Sequence, residues 1–385
     1  MPRTVTAAAV RLSNEPAPTA DRLQAAEAQV LQAAQQGAQL VVLPEVFNTG
    51  YEYSDENYTR AEPLGGPTVT WMKHLAAEHN VHLAGSLLLL DTEHITNSLL
   101  LVAPDGRTWR YNKNYPWVWE RLYFREGHDI TVAETDIGTF GLLICADVVQ
   151  PRLFQRYAGR VDALIIAASP PQVHNLALDF PDDTRLPLDM APTPGIHQTM
   201  AETFDGHVRR STAWLGVPAI QSIPYGQFKT RIPLPWISLG ILLGRTTDRW
   251  RYIPQGKNAL LTGPFYTDNQ IVDASGDILA RYDAEADGFA LATVELADER
   301  PQPSGKPPRY TIPIPHMMIA NALAPLYRRG VRRAWGRNMA PVDQTTRYWQ
   351  PYVLGALISG FVWGRMGGGH KRRRKEKTPA ETQES

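Results

Sequence analysis

Over roughly the first 300 residues, short apolar runs alternate with longer stretches whose apolar positions recur every three or four residues. Residues 4–12, TVTAAAVRL, predict a first strand. Residues 20–36, ADRLQAAEAQVLQAAQQ, predict a helix with Leu23, Ala26, Val30, Leu31 and Ala34 along one face, ended by Gly37. AQLVVLPEVFNTGY then predicts a short buried strand, Leu40 to Leu43, that opens into a loop at Pro44. Strand, helix and strand with short joins imply an α/β unit.

The pattern recurs. TVTWMKHLAAEHNV predicts a helix and HLAGSLLLL a strand, and NSLLLVAPDGRTWRYNK predicts a hairpin turning at Pro104-Asp105-Gly106. FGLLICAD predicts a strand, PRLFQRYAGR a helix and VDALIIAAS another strand. Residues 170–199, rich in Pro, Asp and Thr, read as a long loop. MAETFDGHVRRSTAWLG predicts a helix, VPAIQSIPYG a strand, QIVDASGDILARYD a hairpin and GFALATVEL a last strand. The α/β stretches before and after Tyr111 read as pseudo-symmetric halves.

Beyond that strand the composition changes. The segment DERPQPSGKPPRYTIPIP has the character of a linker. HMMIANALAPLYRRGVRRAWGRN mixes apolar residues with Arg, and the apolar run Tyr352–Trp363 is shorter than the ~20 residues a bilayer span needs. The chain closes on a basic, then disordered, stretch. The expected organisation is a catalytic-type domain over 1–298, a linker over 299–316, an apolar and basic extension over 317–369 that associates with a membrane or a partner subunit, and a disordered tail over 370–385. PLPWISLGILLG, residues 233–244, reads as a second apolar stretch in an insertion.

The 385 residues are 43% hydrophobic and 20% charged, globular values, and their net charge of +0 provides no general field for nucleic acid. One cysteine rules out an internal disulfide and a zinc site built on several cysteines. MPRTVTAAAVRLSNEP lacks the apolar core of a signal peptide, so the cytoplasm is the expected compartment.

Three residues stand at the ends of apolar segments. Glu45 follows LVVLP, where strands of an α/β sheet emerge and sites collect; a solvated loop carboxylate is the plainer alternative. Lys113 lies in WRYNKNYPWVWERLYFREG, where Tyr111, Tyr115, Trp117, Trp119, Tyr123 and Phe124 argue for burial rather than a solvated lysine. A buried ammonium needs a carboxylate partner, and Glu120 and Glu45 are the candidates. Cys145 ends GLLIC, and a lone cysteine there is either a small hydrophobe or a nucleophile. Together the three suit acyl transfer: a thiolate attacks, a carboxylate carries the proton, and an ammonium with a backbone N–H holds the oxyanion.

On these motifs the sequence resembles the carbon–nitrogen hydrolase (nitrilase) superfamily. LPEVFNTGY resembles its acid motif at Glu45, YNKNYPWVWERLYFREG its lysine motif at Lys113 with Glu120 as the assisting glutamate, and TDIGTFGLLICAD its nucleophile motif at Cys145. The resemblance covers roughly residues 4–297. It implies a four-layer α-β-β-α sandwich, a metal-free and cofactor-free thiol mechanism, a small amide, carbamoyl or nitrile substrate, and a homodimer or larger homo-oligomer. It also brings Ala146, Tyr51 and Ser169 forward as oxyanion- or substrate-binding positions.

The pattern departs from the family beside the nucleophile. Ala146 stands where amidase-like members carry an aromatic, and Asp147 points to the amidase side. Lys113, Pro116, Glu120 and Arg121 are spaced as in the nitrilase branch. The leading expectation is an amidohydrolase of a linear amide or N-carbamoyl compound. A nitrilase or N-acyltransferase using the same residues is the alternative among enzymes, and a catalytically inactive scaffold or binding relative is the alternative outside them. Apolar and basic segments also suit a peripheral site at the inner face of a membrane.

Overall fold

The computed structural model describes residues 3–91, 94–172, 175–188, 204–242, 247–266 and 268–308. The extension expected over 317–369 and the tail over 370–385 lie outside the described residues. Strand β1 (Arg3–Arg11) leads through α1 (Thr19–Gln35) to β2 (Leu40–Val42). After α2 (Glu56–Arg60) and α3 (Pro67–His79) come β3 (His82–Leu90), β4 (Ile95–Val102) and β5 (Thr108–Asn112). Then follow β6 (Val132–Glu134), β7 (Thr139–Ile144), α4 (Pro151–Tyr157), β8 (Ala163–Ala167), β9 (Ala177–Asp179) and β10 (Arg185–Pro187). The domain continues with α5 (Gly206–Leu215), β11 (Ala219–Ser222), β12 (Gln227–Arg231), α6 (Pro235–Leu242), β13 (Leu260–Pro264), β14 (Asn269–Val272), β15 (Ile278–Tyr282) and β16 (Gly288–Leu296).

Two six-stranded sheets carry the architecture, ordered β16-β1-β2-β3-β4-β5 and β15-β14-β11-β8-β7-β6. In the first, β1, β2 and β3 are parallel and β4 and β5 turn back antiparallel. In the second, β7, β8 and β11 are parallel and β14 and β15 antiparallel. β16 flanks β1 and β6 flanks β7, both antiparallel. The two sheets therefore repeat one topology, as expected from the sequence, with the break just after β5.

Alternation along the strands assigns the layers. In β2, Leu40 and Val42 join the cluster that includes Leu164 and Ile166 of the second sheet, whereas Val41 joins Val30 of α1 and Met72 of α3. Helices α4 and α5 bury Phe154 and Val208 in the same cluster as the second sheet. The result is the α-β-β-α sandwich. Buried polar side chains stitch the sheets together. Asn269 Nδ2 donates to the Ala9 carbonyl (3.2 Å) while its Oδ1 accepts from Ile223 N–H (2.6 Å). Ser222 Oγ donates to the Val10 carbonyl (2.5 Å).

The structure corrects three local expectations. The buried stripe of α1 is Arg22, Ala26, Gln29, Val30 and Ala33, and Leu31 is exposed. Arg22 donates from Nη1 and Nη2 to the carbonyls of Ser13 and Glu15, so its stem can lie inward. The stretch 170–199 is not all loop: β9 and β10 pair as a hairpin and join β13 and β12 in a four-stranded sheet. Within the apolar stretch 233–244, Pro235–Leu242 form α6, whose Leu239 is buried against the domain. Between 297 and 308 the chain forms no helix or strand.

Asn269 tests the inter-sheet stitching. Asn269→Leu fills a similar volume but takes the acceptor from the buried Ile223 N–H and one donor from the Ala9 carbonyl, at a cost of about 1–3 kcal/mol for the orphaned N–H. Urea denaturation is expected to show a clearly lower midpoint; an unchanged midpoint would show that the bonds contribute nothing net.

Candidate active site

Each of the three candidate residues emerges just beyond a strand. Glu45 lies three residues past the end of β2, Lys113 immediately after β5 and Cys145 immediately after β7. Backbone geometry is unusual at two of these exits. Cys145 has φ of 46° and Val46, next to Glu45, has φ of 52°. Side chains bearing a Cβ rarely take left-handed backbone, and such residues cost about 1–3 kcal/mol unless their surroundings hold them. The expectation that FGLLICAD is strand throughout is corrected here: β7 stops at Ile144, and Cys145 opens a 3₁₀ turn, Cys145–Val149.

Asp147 holds that turn. Its Oδ2 accepts from Tyr111 Oη (2.8 Å) and Ile144 N–H (3.2 Å), and its Oδ1 accepts from Tyr115 N–H (2.8 Å). One fully buried carboxylate thus ties the cysteine turn to β5 and to the loop that carries the lysine. Burial raises the Asp147 carboxyl to about 6, against the pull of Lys113 and its donors.

The lysine loop delivers its side chain into a closed cage. Lys113 Nζ donates to Glu45 Oε1 (2.8 Å) and to Glu120 Oε1 (2.7 Å), and all three side chains are inaccessible. Both carboxylates that the aromatic loop led one to expect as partners are therefore used. Glu120 is fully committed, since Oε1 also accepts from Tyr51 Oη (2.8 Å) and Oε2 accepts from Trp117 N–H. Glu45 is committed on one side only. Asn97 Nδ2 donates to its Oε1 (2.8 Å), but its buried Oε2 has no hydrogen-bond partner. That oxygen is a proton acceptor held ready in the site.

The electrostatics follow from one cation among acids. Burial acts against the Lys113 charge, but Glu120 and Glu45 outweigh it and hold the ammonium well above the ordinary lysine range. Burial pushes Glu45 up to about 7; Lys113 and Asn97 restrain it and Glu120 adds to it. Burial, with Glu45 and Glu120, pushes the Cys145 thiol well up, while Lys113 and the backbone N–H of Ser169 pull it down. The resting pair is a neutral thiol beside a carboxylate that titrates near neutrality.

The remaining expected residues fall around this cluster. Tyr51 bonds Glu120 and packs its ring against Phe228 and Phe265. Ser169 Oγ donates to the Glu45 carbonyl (3.3 Å), and Ala146 is buried next to the thiol. Sequence reasoning missed Asn97 and Ser86, which form a second rank behind Glu45. Ser86 Oγ donates to Asn97 Oδ1 (2.6 Å) and accepts from Val46 N–H (3.2 Å). It also missed Tyr53, whose hydroxyl meets that of Tyr51 (3.2 Å). The available signal was polar residues inside two largely apolar strands, Ser86 in HLAGSLLLL and Thr96-Asn97-Ser98 in ITNSLLLV, where burial demands partners. Among the described residues, no group of three or more His, Cys, Asp or Glu is arranged to hold a metal.

Comparison with known proteins agrees with the sandwich. Residues 6–179 match the family model for carbon-nitrogen hydrolases. A nitrilase of Pyrococcus abyssi (strain GE5 / Orsay) is 33% identical over 127 residues, 32% of this chain and 48% of that protein. A 2-oxoglutaramate amidase of Bacillus subtilis (strain 168) is 27% identical over 139 residues, 35% of this chain and 53% of that protein. The chain thus spans about half the length of these curated relatives. The fold matches that of Saccharomyces cerevisiae Nit3, a member of branch 10 of the nitrilase superfamily, with TM-score 0.55 and 21% identity, over 76% of this chain and 90% of that one. Over residues 6–179 the chain is thus similar to carbon-nitrogen hydrolases, and its fold is shared with structures of the nitrilase superfamily.

Removing the central cation tests the cage. Lys113→Met leaves two carboxylates buried together and is expected to destabilise the protein by roughly 3–5 kcal/mol near neutral pH. The loss should shrink at pH 5, because carboxyls without the ammonium rise in pKa and are relieved by protonation. Urea titrations at both pH values check this; a pH-independent loss would mean that the ion cage is not its source.

Proposed function

We propose that the protein is a thiol-dependent amidohydrolase that cleaves a non-peptide C–N bond, in a linear amide or N-carbamoyl compound, through a thioester acyl-enzyme. The observation that supports this most is the unpartnered Oε2 of Glu45 in a cage where Lys113 and Glu120 are already paired. No side chain or backbone donor of the cage uses that oxygen, which leaves it free to take a proton.

In this reading Glu45 takes the Cys145 proton as sulfur attacks the carbonyl carbon. Concerted transfer suits a thiol held above its ordinary range, because no free thiolate has to accumulate. The new oxyanion is met by the Lys113 ammonium and by a backbone N–H at the Cys145–Ala146 turn. Glu45 passes the proton to the departing nitrogen, the C–N bond breaks and the amine leaves. Water then attacks the thioester and gives a proton to Glu45; the C–S bond breaks, and sulfur recovers that proton. Glu120 holds Lys113 in place throughout and is supported by Tyr51. Ser169 steadies the Glu45 backbone, and Ala146 leaves room beside the sulfur.

Nitrile hydrolysis is the second reading, and the named nitrilase relative favours it. It needs the same residues: sulfur adds to the nitrile carbon, and one water releases ammonia to reach the same thioester. Acyl transfer to an amine would intercept that thioester in place of water. As in the sequence reading, the substrate is small, the compartment cytoplasmic and the assembly a homo-oligomer, with the extension over 317–369 contacting a membrane's inner face or a partner subunit.

The direct test is a release assay for ammonia or amine over a panel of amides, ureas and nitriles. Cys145→Ser is expected to abolish turnover, because a hydroxyl is far less acidic than a thiol, and Glu45→Gln to lower kcat by about 10²–10⁴. Activity of Cys145→Ser within tenfold of the unaltered protein would remove the thiol from the mechanism.

The pH profile carries a second expectation. Glu45 acts as base only when ionised and titrates at about 7. kcat/KM should therefore fall about tenfold per pH unit below that point. Asn97→Leu removes a donor that favours the ionised form, so it should move this limb to higher pH. A limb that stays in place would assign it to another group.

A further inference from the structure

The stretch from Gln227 to Lys257 differs from the rest of this electrically balanced chain. It carries Lys229, Arg231, Arg245, Arg249, Arg251 and Lys257 against a single acid, Asp248. Strand β12 lies at the edge of its sheet, with Phe228 and Thr230 buried and Lys229 and Arg231 exposed. After it comes α6, which packs on the 3₁₀ segment Thr247–Lys257. A Cβ built on Gly256 would stand 2.3 Å from a Leu239 methyl and 3.1 Å from Pro235 Cβ, so the segment's backbone lies directly on the helix.

The apolar side chains here are not all used internally. Leu239 is buried, yet Trp236 of α6 is 57% exposed and Trp250 of the neighbouring segment 46% exposed, the exposed tryptophans among the described residues. Both elements are held by the domain. Leu239 belongs to the buried cluster that contains Tyr51, Tyr53, Phe228 and Phe265, and Tyr252 and Ile253 pack against it. Trp119 Nε1, next to Glu120, donates to Ser238 Oγ of α6 (3.0 Å). The surface is thus fastened to the loop that carries the assisting glutamate.

Indole rings beside lysine and arginine, around a short aliphatic helix, match the chemistry of a bilayer interface. The rings settle at headgroup depth while the cations meet anionic lipid. At eight residues, α6 is too short to cross, and among the described residues no helix is long and apolar enough to span. A single-stranded nucleic acid would use the cations and the indoles, whereas the aliphatic composition of the α6 sequence, PWISLGIL, favours lipid. We propose that α6 and the Thr247–Lys257 segment, with the outward residues of β12, form a docking face that lays the protein on an anionic lipid surface with the active-site loop beside it.

The test uses the full chain and vesicles of phosphatidylcholine with or without phosphatidylserine. The unaltered protein is expected to co-sediment with the anionic vesicles at low salt and to be released by high salt. Removing the charges in K229A/R231A/R251A/K257A, at about fivefold per side chain, should lower partitioning more than a hundredfold. W236A/W250A should lower it at least tenfold and remove quenching of tryptophan fluorescence by brominated lipid. Alkylation of Cys145 at the unaltered rate checks that each variant is folded; K229Q/R231Q/R251Q/K257Q replaces the first if it is not. The proposal is overturned if the unaltered protein ignores anionic vesicles at low salt. It is equally overturned if folded variants bind as well as the parent, which would assign binding to the C-terminal extension, or if a single-stranded oligonucleotide binds this face and vesicles do not.

Discussion

One ammonium in a dry site organises this protein. Lys113 lies between Glu45 and Glu120, and none of the three reaches water. Desolvating each charge alone would be prohibitive, and the two acids together would repel one another. The lysine makes both tolerable, but it cannot neutralise both. Burial and the second carboxylate raise the proton affinity of the group with a spare oxygen, Glu45, and of the neighbouring thiol. A carboxyl that titrates near neutrality and a thiol that stays protonated follow first from burial, and then from the acids that one ammonium does not fully offset.

The scaffold serves the cage by bringing strand exits together. The two sheets repeat one topology and stack, so residues leaving β2 and β5 in one sheet and β7 in the other converge. Two devices keep the convergence rigid. Asp147 bonds the cysteine turn to Tyr111 and Tyr115 of the opposite sheet and its loop. Ser86 and Asn97, on adjacent strands, back Glu45 from behind. The left-handed backbone of Cys145 and Val46 persists because these bonds hold its surroundings.

Much of this was legible in residue patterns. HLAGSLLLL and GFALATVEL coincide with β3 and β16, because an apolar run bounded by turn residues has few other ways to satisfy its backbone. The aromatic loop around Lys113 announced burial, and burial required a carboxylate partner. The hairpin of β9 and β10 was hidden, since three-residue strands among Pro, Asp and Thr carry too little periodicity to stand out. The inward stripe of α1 was misassigned because an arginine with bonded carbonyls can lie under a helix as well as a leucine can.

By itself, the sequence determined the α/β alternation, the two halves, and the three exits at Glu45, Lys113 and Cys145. Those are local properties: periodicity, turn chemistry and the residue that follows an apolar run. Tertiary structure alone decided that Lys113 takes both Glu45 and Glu120, that one Glu45 oxygen stays unpaired and that Asp147 is a bolt. It also placed Tyr51, Tyr53, Asn97 and Ser86 around the cage. Which polar groups share a dry volume depends on how two sheets stack, and pairing energies within that volume are set by distances between residues up to 124 positions apart in the chain.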